Sequence, residues 1–185
     1  MSDEEVLDLF RKSGAFKEGH FQLTSGRHSG AYVEKFQVLQ HPAYTQKLCG
    51  LIAARFRDAG IELVAGPTTG GIILSFEVAR QLGVRGIFAE SVDSGRRFLR
   101  GFVVNPGERV LVVDDVLTTG GSIRDVLEAI REAGGEPVGV AVLVDRTGGK
   151  VDFGVPFFAC LELVFPSYDA SQCPLCRVGI PLEKT

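Results

Sequence analysis

The sequence of 185 residues has little of what membrane insertion or secretion needs. No apolar run approaches the roughly 20 residues of a membrane-spanning helix. The first twelve residues include four acidic side chains, whereas a signal peptide begins with basic and then apolar residues. Cysteine is also scarce, with four in the chain, and Cys49 and Cys160 lie in segments typical of core elements, which favours reduced thiols over disulfides. We therefore expect a cytoplasmic protein.

The chain has no excess of positive charge either. Lysine and arginine number 20 and aspartate and glutamate 23, which gives a net charge of −3 and a pI near 5.7. This balance provides no general attraction to phosphate backbones or acidic lipids, so we expect no nucleic-acid partner and no membrane partner. The hydrophobic fraction of 45% is typical of globular proteins, and the length suits one core. We predict a single domain over residues 1–185.

Three motifs of nucleotide-binding proteins and hydrolases are absent from the sequence. Without Gly-x-x-x-x-Gly-Lys-Ser/Thr and Gly-x-Gly-x-x-Gly, the chain lacks the signatures of a P-loop NTPase and of a dinucleotide-binding domain. The Gly-x-Ser-x-Gly pattern of serine hydrolases is missing as well. Any phosphate or sugar chemistry must therefore depend on another segment.

Helix and strand patterns alternate along most of the chain. Ser2 and Glu5 form a capping-box pattern ahead of a short amphipathic helix, and residues 16–39 suggest short strands with turns. Further along, the periodicity predicts helices over 42–59, 72–82 and 123–133 and strands over 61–65, 84–89, 109–113 and 138–144. This alternation is typical of a parallel sheet covered by helices on both faces, where ligands bind beyond the carboxyl ends of the strands.

The most informative segment follows the most hydrophobic strand. Val113 precedes Asp114 and Asp115, and residues 118–122 are small and open a helix. Two carboxylates beside a buried strand need a polar cleft or a partner, and backbone amides at a helix N-terminus favour a phosphate. Acids for sugar hydroxyls next to amides for a phosphate indicate a site for ribose 5-phosphate. The alternative is a solvated strand end followed by an ordinary helix cap.

Several segments resemble a known family. Residues 110–122 are similar to the phosphoribosyl pyrophosphate (PRPP) motif of type I phosphoribosyltransferases: an apolar strand, two acids, and then Thr-Thr-Gly-Gly-Ser. Segments 21–32, 66–71 and 143–146 resemble the corresponding parts of orotate phosphoribosyltransferases, and the ending, 173–182, resembles one branch of that family. The resemblance narrows the expected function to phosphoribosyl transfer.

The fold and the activity follow from this resemblance as expectations. It implies an α/β fold of the type I phosphoribosyltransferase form, with a central parallel sheet flanked by helices over about residues 42–147. The N-terminal and C-terminal segments, about 1–41 and 148–185, would build a small hood. The implied reaction joins orotate to PRPP in pyrimidine synthesis. The implied cofactor is Mg²⁺ carried by PRPP rather than by protein side chains, and the implied assembly is a homodimer.

The resemblance also assigns roles to single residues. Asp114 and Asp115 would bind the ribose hydroxyls and stabilise the cation-like sugar of the transition state. Arg146, Tyr32 and Thr118 would contact orotate, because a guanidinium suits its carboxylate. The residues expected to bind PRPP are Asp114, Asp115, Val116, Leu117, Thr118, Thr119, Gly120, Gly121, Ser122, Thr69 and Gly70.

The chain departs from the family pattern at three places. Thr24 and Gly70 stand where many orotate enzymes have lysine, and the mobile loop, residues 90–100, lacks the usual lysines and histidine. We hypothesise that Arg96, Arg97 and Arg100 replace these groups as fixed charges rather than proton donors, with Arg96 and Arg97 as catalytic residues. The loop would close over the pyrophosphate and be shared across the dimer interface. The other interpretation is a solvated hairpin, in which single surface arginines contribute little.

Histidine and cysteine give weaker signals. His28 stands without an assigned carboxylate partner, so a structural role is favoured over acid–base catalysis. Cys173 and Cys176 have the spacing of a zinc knuckle, but structural zinc needs four ligands, and no second pair is nearby in the sequence. Cys160 or a partner chain would have to complete such a site. A reduced pair and a disulfide in the tail are the other interpretations.

Rival functions stay open at this point. A phosphoribosyltransferase for a purine or for another pyrimidine would share the PRPP motif, although Arg146 and the segment 25–29 favour orotate. A regulator that senses PRPP and binds nucleic acid is disfavoured by the net charge of −3. An inactive interaction module leaves unexplained the acid pair (Asp114 and Asp115) and the small-residue segment 118–122, which we call the phosphate loop.

Overall fold

The computed structural model describes residues 1–23 and 25–185. In chain order the elements are α1 (Asp3–Lys12), β1 (Phe16–Gln22), β2 (His28–Val33), α2 (Lys35–Leu39), α3 (Pro42–Phe56), β3 (Leu63–Pro67), α4 (Gly70–Leu82), β4 (Arg85–Ser91), β5 (Arg96–Arg97), β6 (Arg109–Leu117), α5 (Gly121–Glu132), β7 (Glu136–Asp145), β8 (Phe157–Glu162), β9 (Ser167–Tyr168), a 3₁₀ turn (Ala170–Gln172), α6 (Pro174–Arg177) and β10 (Glu183–Lys184). None of the helices in this part of the chain combines the length and the apolar character that crossing a membrane requires.

Six strands form the main sheet in the order β5-β4-β3-β6-β7-β8, and every neighbouring pair except β4 and β5 is parallel. Successive residues of β6 point to opposite faces of the sheet. Leu111 and Val113 pack in the core with α1, α3 and α4, whereas Val110 and Val112 pack in the core with α5. All four side chains are fully buried. The predicted parallel sheet with helices on both faces is therefore confirmed.

A smaller sheet in the order β10-β1-β2-β9 joins the two ends of the chain. We call this sheet, together with α6, the hood. Strands β1 and β2 are antiparallel, with an irregular register between Glu18 and Phe21. Strand β9 pairs antiparallel with β2, and β10 pairs parallel with β1. The hood is thus built from N-terminal and C-terminal segments, as expected.

Local sequence signals account for several element ends. At the start of α1, the Ser2 amide donates to Glu5 Oε2 at 2.7 Å and the Glu5 amide donates to Ser2 Oγ at 3.3 Å, which is the predicted capping box. Helix α4 ends at Gly83, whose φ of 73° lies in the left-handed region that favours glycine.

Three sequence predictions about elements are corrected by the structure. Residues 35–39 form a helix instead of a strand or turn, because the Glu34 side chain accepts a hydrogen bond from the Phe36 amide and caps it. Strand β6 continues past residue 113 to Leu117, since Val116 pairs with Val144 on β7. The main sheet also extends beyond residue 147, because β8 pairs parallel with β7, so only part of the 148–185 segment belongs to the hood.

Candidate active site

A cavity of about 830 Å³ lies where the turns after β3, β6 and β7 face the hood. Its volume is in the range of small-molecule and cofactor pockets, and its position at the carboxyl ends of parallel strands is the usual one for ligands. The described lining residues are Leu23, Ser25, Tyr32, Val33, Glu34, Lys35, Phe36, Thr68, Thr69, Asp114, Asp115, Val116, Thr118, Thr119, Ser122, Arg146, Phe165, Ser167 and Thr185.

The two acids of the PRPP motif both line this cavity. Asp115 is 3% exposed, and its Oδ1 lies 3.1 Å from Lys35 Nζ and accepts a hydrogen bond from the Val116 amide at 2.6 Å. Asp114 Oδ1 accepts a hydrogen bond from the Asp115 amide at 2.8 Å. Each buried carboxylate therefore has a partner and faces a cleft, as the cost of burying an unpaired charge requires.

Burial raises the pKa of Asp114, and the neighbouring Asp115 carboxylate raises it further. The hydrogen bond from the Asp115 amide and the charges of Lys35 and Arg96 lower this pKa, but the net direction is upward. The ionised form of Asp114 is thus disfavoured in the free protein. A cation-like group that enters the cavity would stabilise that ionised form, and shifted groups of this kind are typical of functional clefts.

Residues 118–122 turn from β6 into the 12-residue helix α5 at the wall of the cavity. Gly120 is the N-cap residue with a φ of 80°, and a Cβ there would lie 2.9 Å from Arg124 Nη1 and 3.2 Å from the Phe153 ring. Thr118, Thr119 and Ser122 line the cavity. Helix-terminal amides next to three hydroxyls make a suitable phosphate site.

The turn between β3 and α4 forms a second wall of the cavity. Thr68 and Thr69 line it, and the peptide bond between them is cis. A Cβ on Gly70 would lie only 1.7 Å from Asp115 Oδ2, so no side chain fits at this position while Asp115 keeps its place. Gly70 therefore lets the turn approach the Asp115 carboxylate closely. Lys35 approaches the same Asp115 carboxylate from the segment that follows β2.

The three arginines of the 90–100 segment separate in space. Arg96 Nη1 donates to Thr68 Oγ1 at 3.0 Å and so reaches the wall of the cavity. Arg97 is exposed and lies beside a different cavity near Phe98 and Phe102. Arg100 forms a two-point ion pair with Glu90 at 2.8 and 2.9 Å. Within one chain, Arg96 and Arg97 therefore point to opposite sides, as neighbouring strand residues do, and a joint catalytic role for them stays a prediction.

Arg146 and Tyr32, the predicted orotate contacts, lie in the same cavity as Thr118. The Arg146 guanidinium lies 5.3 Å from the centre of the Phe165 ring, and its Nε is buried without a hydrogen-bond partner among the described residues. Burial lowers the pKa of Arg146, and Tyr32 opposes this shift. The Tyr32 hydroxyl donates to Glu34 Oε2 at 3.2 Å. Arg146 thus presents a partly desolvated cation that suits an incoming carboxylate.

The structure separates the predicted PRPP residues into two groups. Asp114, Asp115, Val116, Thr118, Thr119, Ser122 and Thr69 line the cavity. Leu117 is 1% exposed and packs in the core with α5, so its side chain does not contact the cavity. Gly70, Gly120 and Gly121 shape the two turns through their backbone. Thr24 lies outside the described residues.

The histidine and the cysteines that the sequence singled out lie away from the cavity. His28 is buried in the hood, which agrees with a structural role and places it away from the described lining residues. The prediction that Cys160 could complete a metal site with Cys173 and Cys176 is wrong. Its thiol lies in the core and donates to the Leu48 carbonyl at 3.6 Å.

Several lining residues were missed by the sequence reasoning. Lys35, Glu34 and Phe36 follow β2 directly, and Thr68 precedes the predicted Thr69. Lys35 is separated from Asp115 by 80 residues along the chain, so only the fold brings the two together. The one available signal was the charged pair Glu34 and Lys35 at the start of α2, which is too common to single out a site.

Comparisons with known proteins agree with this geometry. Residues 36–164 match the model of the phosphoribosyl transferase domain family. An orotate phosphoribosyltransferase of Desulforamulus reducens is 52% identical over 184 residues, covering 100% of this chain and 96% of the relative. One of Pelotomaculum thermopropionicum is 53% identical over 184 residues, covering 100% and 97%.

A solved structure has a similar fold. The orotate phosphoribosyltransferase of Mycobacterium tuberculosis H37Rv, crystallised with inorganic phosphate, superposes with a TM-score of 0.72 at 29% identity, covering 86% of this chain and 94% of the other. The match to the domain model and the identity of about 50% over the whole chain show the family directly. The chain therefore belongs to the phosphoribosyltransferases and, within them, to the orotate phosphoribosyltransferases.

Proposed function

We propose that the 830 Å³ cavity transfers the 5-phosphoribosyl group of PRPP to orotate, giving orotidine 5′-phosphate and pyrophosphate. One observation carries this proposal. A buried acid pair, a helix N-terminus and a guanidinium with an unpaired Nε line one cavity, and the two substrates present the matching groups. These groups are sugar hydroxyls, a phosphate and a carboxylate.

The residues 118–122 bind the 5′-phosphate of PRPP in this proposal. The first amides of α5 and the hydroxyls of Thr118, Thr119 and Ser122 converge on one side of the cavity. Asp114 and Asp115 lie on the adjoining strand end and accept hydrogen bonds from the ribose hydroxyls. The backbone around Gly70 and the Thr69 hydroxyl face the pyrophosphate. Lys35 holds Asp115 in place through their contact of 3.1 Å.

Displacement of pyrophosphate leaves positive charge on the sugar ring as a nitrogen of orotate approaches the anomeric carbon. The carboxylates of Asp114 and Asp115 stabilise this charge most strongly in the transition state, which lowers the barrier. Arg96 beside Thr68 stabilises the negative charge that accumulates on the leaving group. Closure of the 90–100 segment over the cavity would exclude water and so prevent hydrolysis of PRPP.

The donor atoms of the cavity fit Mg²⁺ carried by PRPP. Asp114 and Asp115 offer hard oxygen atoms, but the cavity has no described cluster of three or more side chains that could hold a metal ion. Mg²⁺ commonly keeps several waters and takes further oxygens from phosphate groups, so a full set of protein ligands is unnecessary. When bound with PRPP, it neutralises charge on the departing pyrophosphate.

Orotate is recognised by Arg146 and Tyr32. The orotate carboxylate would pair with the guanidinium, whose burial strengthens this interaction. The Arg146 amide donates to the Leu117 carbonyl at 2.9 Å, which fixes Arg146 next to the phosphate loop. Asp145 supports the same turn by accepting a hydrogen bond from the Thr147 amide at 2.7 Å. The base is thereby held near the sugar carbon that it attacks.

A substrate panel tests the proposed function. The protein is incubated with Mg²⁺ and PRPP, orotate, uracil, adenine and hypoxanthine are offered separately, and loss of the base and release of pyrophosphate are measured. We expect turnover with orotate alone, because uracil lacks the carboxylate and the purines have a different shape. Equal turnover of uracil would refute recognition by Arg146, and turnover of a purine alone would refute the assignment of the substrate.

A homodimer is the second proposal, and an apolar surface beside the cavity supports it. Phe76 and Ile73 on α4 are 69% and 39% exposed, and Phe36 on α2 is 42% exposed. The two helices contact each other, and Phe36 also lines the cavity. Light scattering should give twice the chain mass, Phe76→Asp should give monomers, and Val103→Asp, at another exposed position, should leave the mass unchanged.

The shared loop can be tested by mixing two variants whose activity is lowered. The Arg96→Ala chain retains Asp114 and Asp115, and the Asp114→Asn chain retains Arg96. If the 90–100 segment acts across the interface, the mixture contains hybrid dimers in which one site is complete, and part of the activity returns. If Arg96 acts within its own chain, as its contact with Thr68 suggests, mixing restores nothing.

A further inference from the structure

Four metal-binding side chains meet in the hood, away from the described lining of the cavity. They are His20, His28, Cys173 and Cys176, and one ligand atom from each lies within 4.8 Å of all the others. We propose that these residues bind a structural Zn²⁺ ion that holds the C-terminal tail on the N-terminal hairpin. Two imidazole and two thiolate ligands form a donor set that zinc prefers in proteins.

The distances within the cluster suit tetrahedral coordination. His20 Nε2 lies 3.0 Å from His28 Nδ1 and 3.4 Å from Cys173 Sγ. Cys176 Sγ lies 3.7 Å from His20 Nε2 and 3.3 Å from His28 Nδ1. Zinc–nitrogen bonds of about 2.0–2.1 Å and zinc–sulfur bonds of about 2.3 Å give a tetrahedron with edges of roughly 3.3–3.8 Å. Small shifts of these side chains would therefore complete the site.

The fold explains why these residues converge. His28 pairs with Gln22 across the β1–β2 hairpin, and the centres of the His20 and His28 rings lie 4.9 Å apart, so both histidines are on the same face. His20 falls within the irregular register between Glu18 and Phe21. A local bulge of this kind commonly redirects a side chain. The two cysteines approach from the other end of the chain, at the start and within the single turn of α6.

The outer contacts of the cluster also favour a metal site. His20 Nδ1 lies 2.8 Å from the Ile180 carbonyl, so this nitrogen carries the proton and Nε2 presents its lone pair to the cluster. A metal-binding histidine usually makes this second hydrogen bond, which fixes its tautomer. His20, His28 and Cys173 are 1%, 4% and 1% exposed. With four protein ligands, such a site would be closed and structural rather than catalytic.

Few other contacts fix the position of the C-terminal tail, residues 169–185. Among residues 169–185, Cys173 is the only buried residue, so apolar packing contributes little to the position of this segment. Arg27 reaches Ser167 and Asp169, and β10 adds one short pairing with β1. A zinc ion would link residues 20–28 to residues 173–176 directly, and metal binding of this kind contributes folding energy. Thr185 lines the cavity, so the ion would also order part of its wall.

Metal analysis of the purified full-length chain tests this proposal without substrates, so its outcome is separate from that of the proposed function. Protein prepared without chelator is expected to contain one zinc ion per chain, as measured by inductively coupled plasma mass spectrometry. Cys176→Ser and His28→Ala should lose the metal, whereas His41→Ala, at the third histidine of the chain, should keep it. Circular dichroism confirms that each variant is folded.

Reconstitution gives a second measurement on the unaltered chain. Chelator-treated protein is expected to bind one Co²⁺ with the thiolate-to-cobalt charge-transfer band and the visible bands of a tetrahedral site, and Zn²⁺ should displace it. Trypsin should cleave after the exposed Arg177 faster in the chelated protein than in the zinc form. Wild-type protein that takes up no more zinc than Cys176→Ser, or a Cys173–Cys176 disulfide in the protein as isolated, would overturn the proposal.

Discussion

The cavity and the histidine–cysteine cluster both join distant parts of the chain, but they do so in different ways. The acid pair and the phosphate loop lie within residues 114–122, so one strand and one helix place most of the proposed PRPP site. The four residues of the cluster come from positions 20, 28, 173 and 176, and only pairing within the hood brings them together. A short motif can thus predict the first region, whereas the second depends on long-range structure.

The two regions also differ in their effect on stability. Asp114 and Asp115 are two neighbouring buried acids, and burial of ionised carboxylates costs folding energy, so the proposed chemistry would be the reason to retain them. The cluster would do the opposite, since a bound ion stabilises a sheet with little apolar core. Substitutions in the cavity should therefore change activity with little loss of fold, and substitutions in the cluster should loosen the hood.

The largest effect is expected for the acid pair. Asp115→Asn removes the charge that faces the developing sugar cation and also breaks the contact with Lys35, so kcat should fall by about a hundredfold or more. Steady-state kinetics with PRPP and orotate measures this, and circular dichroism reports the fold. Activity close to wild type in both Asp114→Asn and Asp115→Asn would remove the basis for the mechanism.

Arg146 should give the next largest effect, confined to orotate. Arg146→Gln leaves the orotate carboxylate without its cation, which costs about 2 kcal/mol or more and raises the KM for orotate by about thirtyfold or more. The KM for PRPP should change little, because Arg146 does not belong to the phosphate loop. Equal increases for both substrates would show that Arg146 shapes the cavity rather than recognising orotate.

How far the sequence predicts the molecule depends on how local each feature is. The alternation of strands and helices was predicted correctly because it depends on residues that are close in the chain. For the same reason the acid pair and residues 118–122 could be expected at one cavity, and their binding of PRPP stays a prediction. The contact between Lys35 and Asp115 depends on pairing across 80 residues, so no spacing signals it. His20 and His28 were not predicted as metal ligands, because only pairing between distant segments brings them to Cys173 and Cys176.

Gly70 offers a smaller effect with a matched control. An alanine Cβ at position 70 would lie 1.7 Å from Asp115 Oδ2, so Gly70→Ala must displace that carboxylate and should lower kcat by about tenfold or more. Gly30→Ala, outside the cavity, adds the same methyl group 3.9 Å from its nearest neighbour, Leu175 Cδ1, and should be tolerated. Similar kinetics in the two variants would show that the position of Asp115 matters less than the structure indicates.

The arginines of the 90–100 segment should differ from each other. Replacing Arg96 and Arg97 together by alanine should slow turnover by at least about tenfold, or roughly 1.4 kcal/mol of barrier. Arg96→Ala alone should account for most of this loss, because Arg96 contacts Thr68 whereas Arg97 lies beside the other cavity. Unchanged turnover in the double variant would contradict a role for this segment in catalysis.

The smallest effect is on stability, and it contrasts the cavity with the cluster most directly. The pKa of Asp114 is raised in the folded protein above the unfolded value of about 3.9. The unfolded chain therefore loses this proton first as pH rises, and Asp114 destabilises the fold increasingly from about pH 4 up to its raised pKa. Asp114→Asn should melt at a higher temperature than wild type at pH 8 and show a smaller difference at pH 4.5. Cys176→Ser should melt at a lower temperature than wild type at pH 8. If Asp114→Asn also melted at a lower temperature at this pH, the idea that the cavity destabilises the fold while the cluster stabilises it would be refuted.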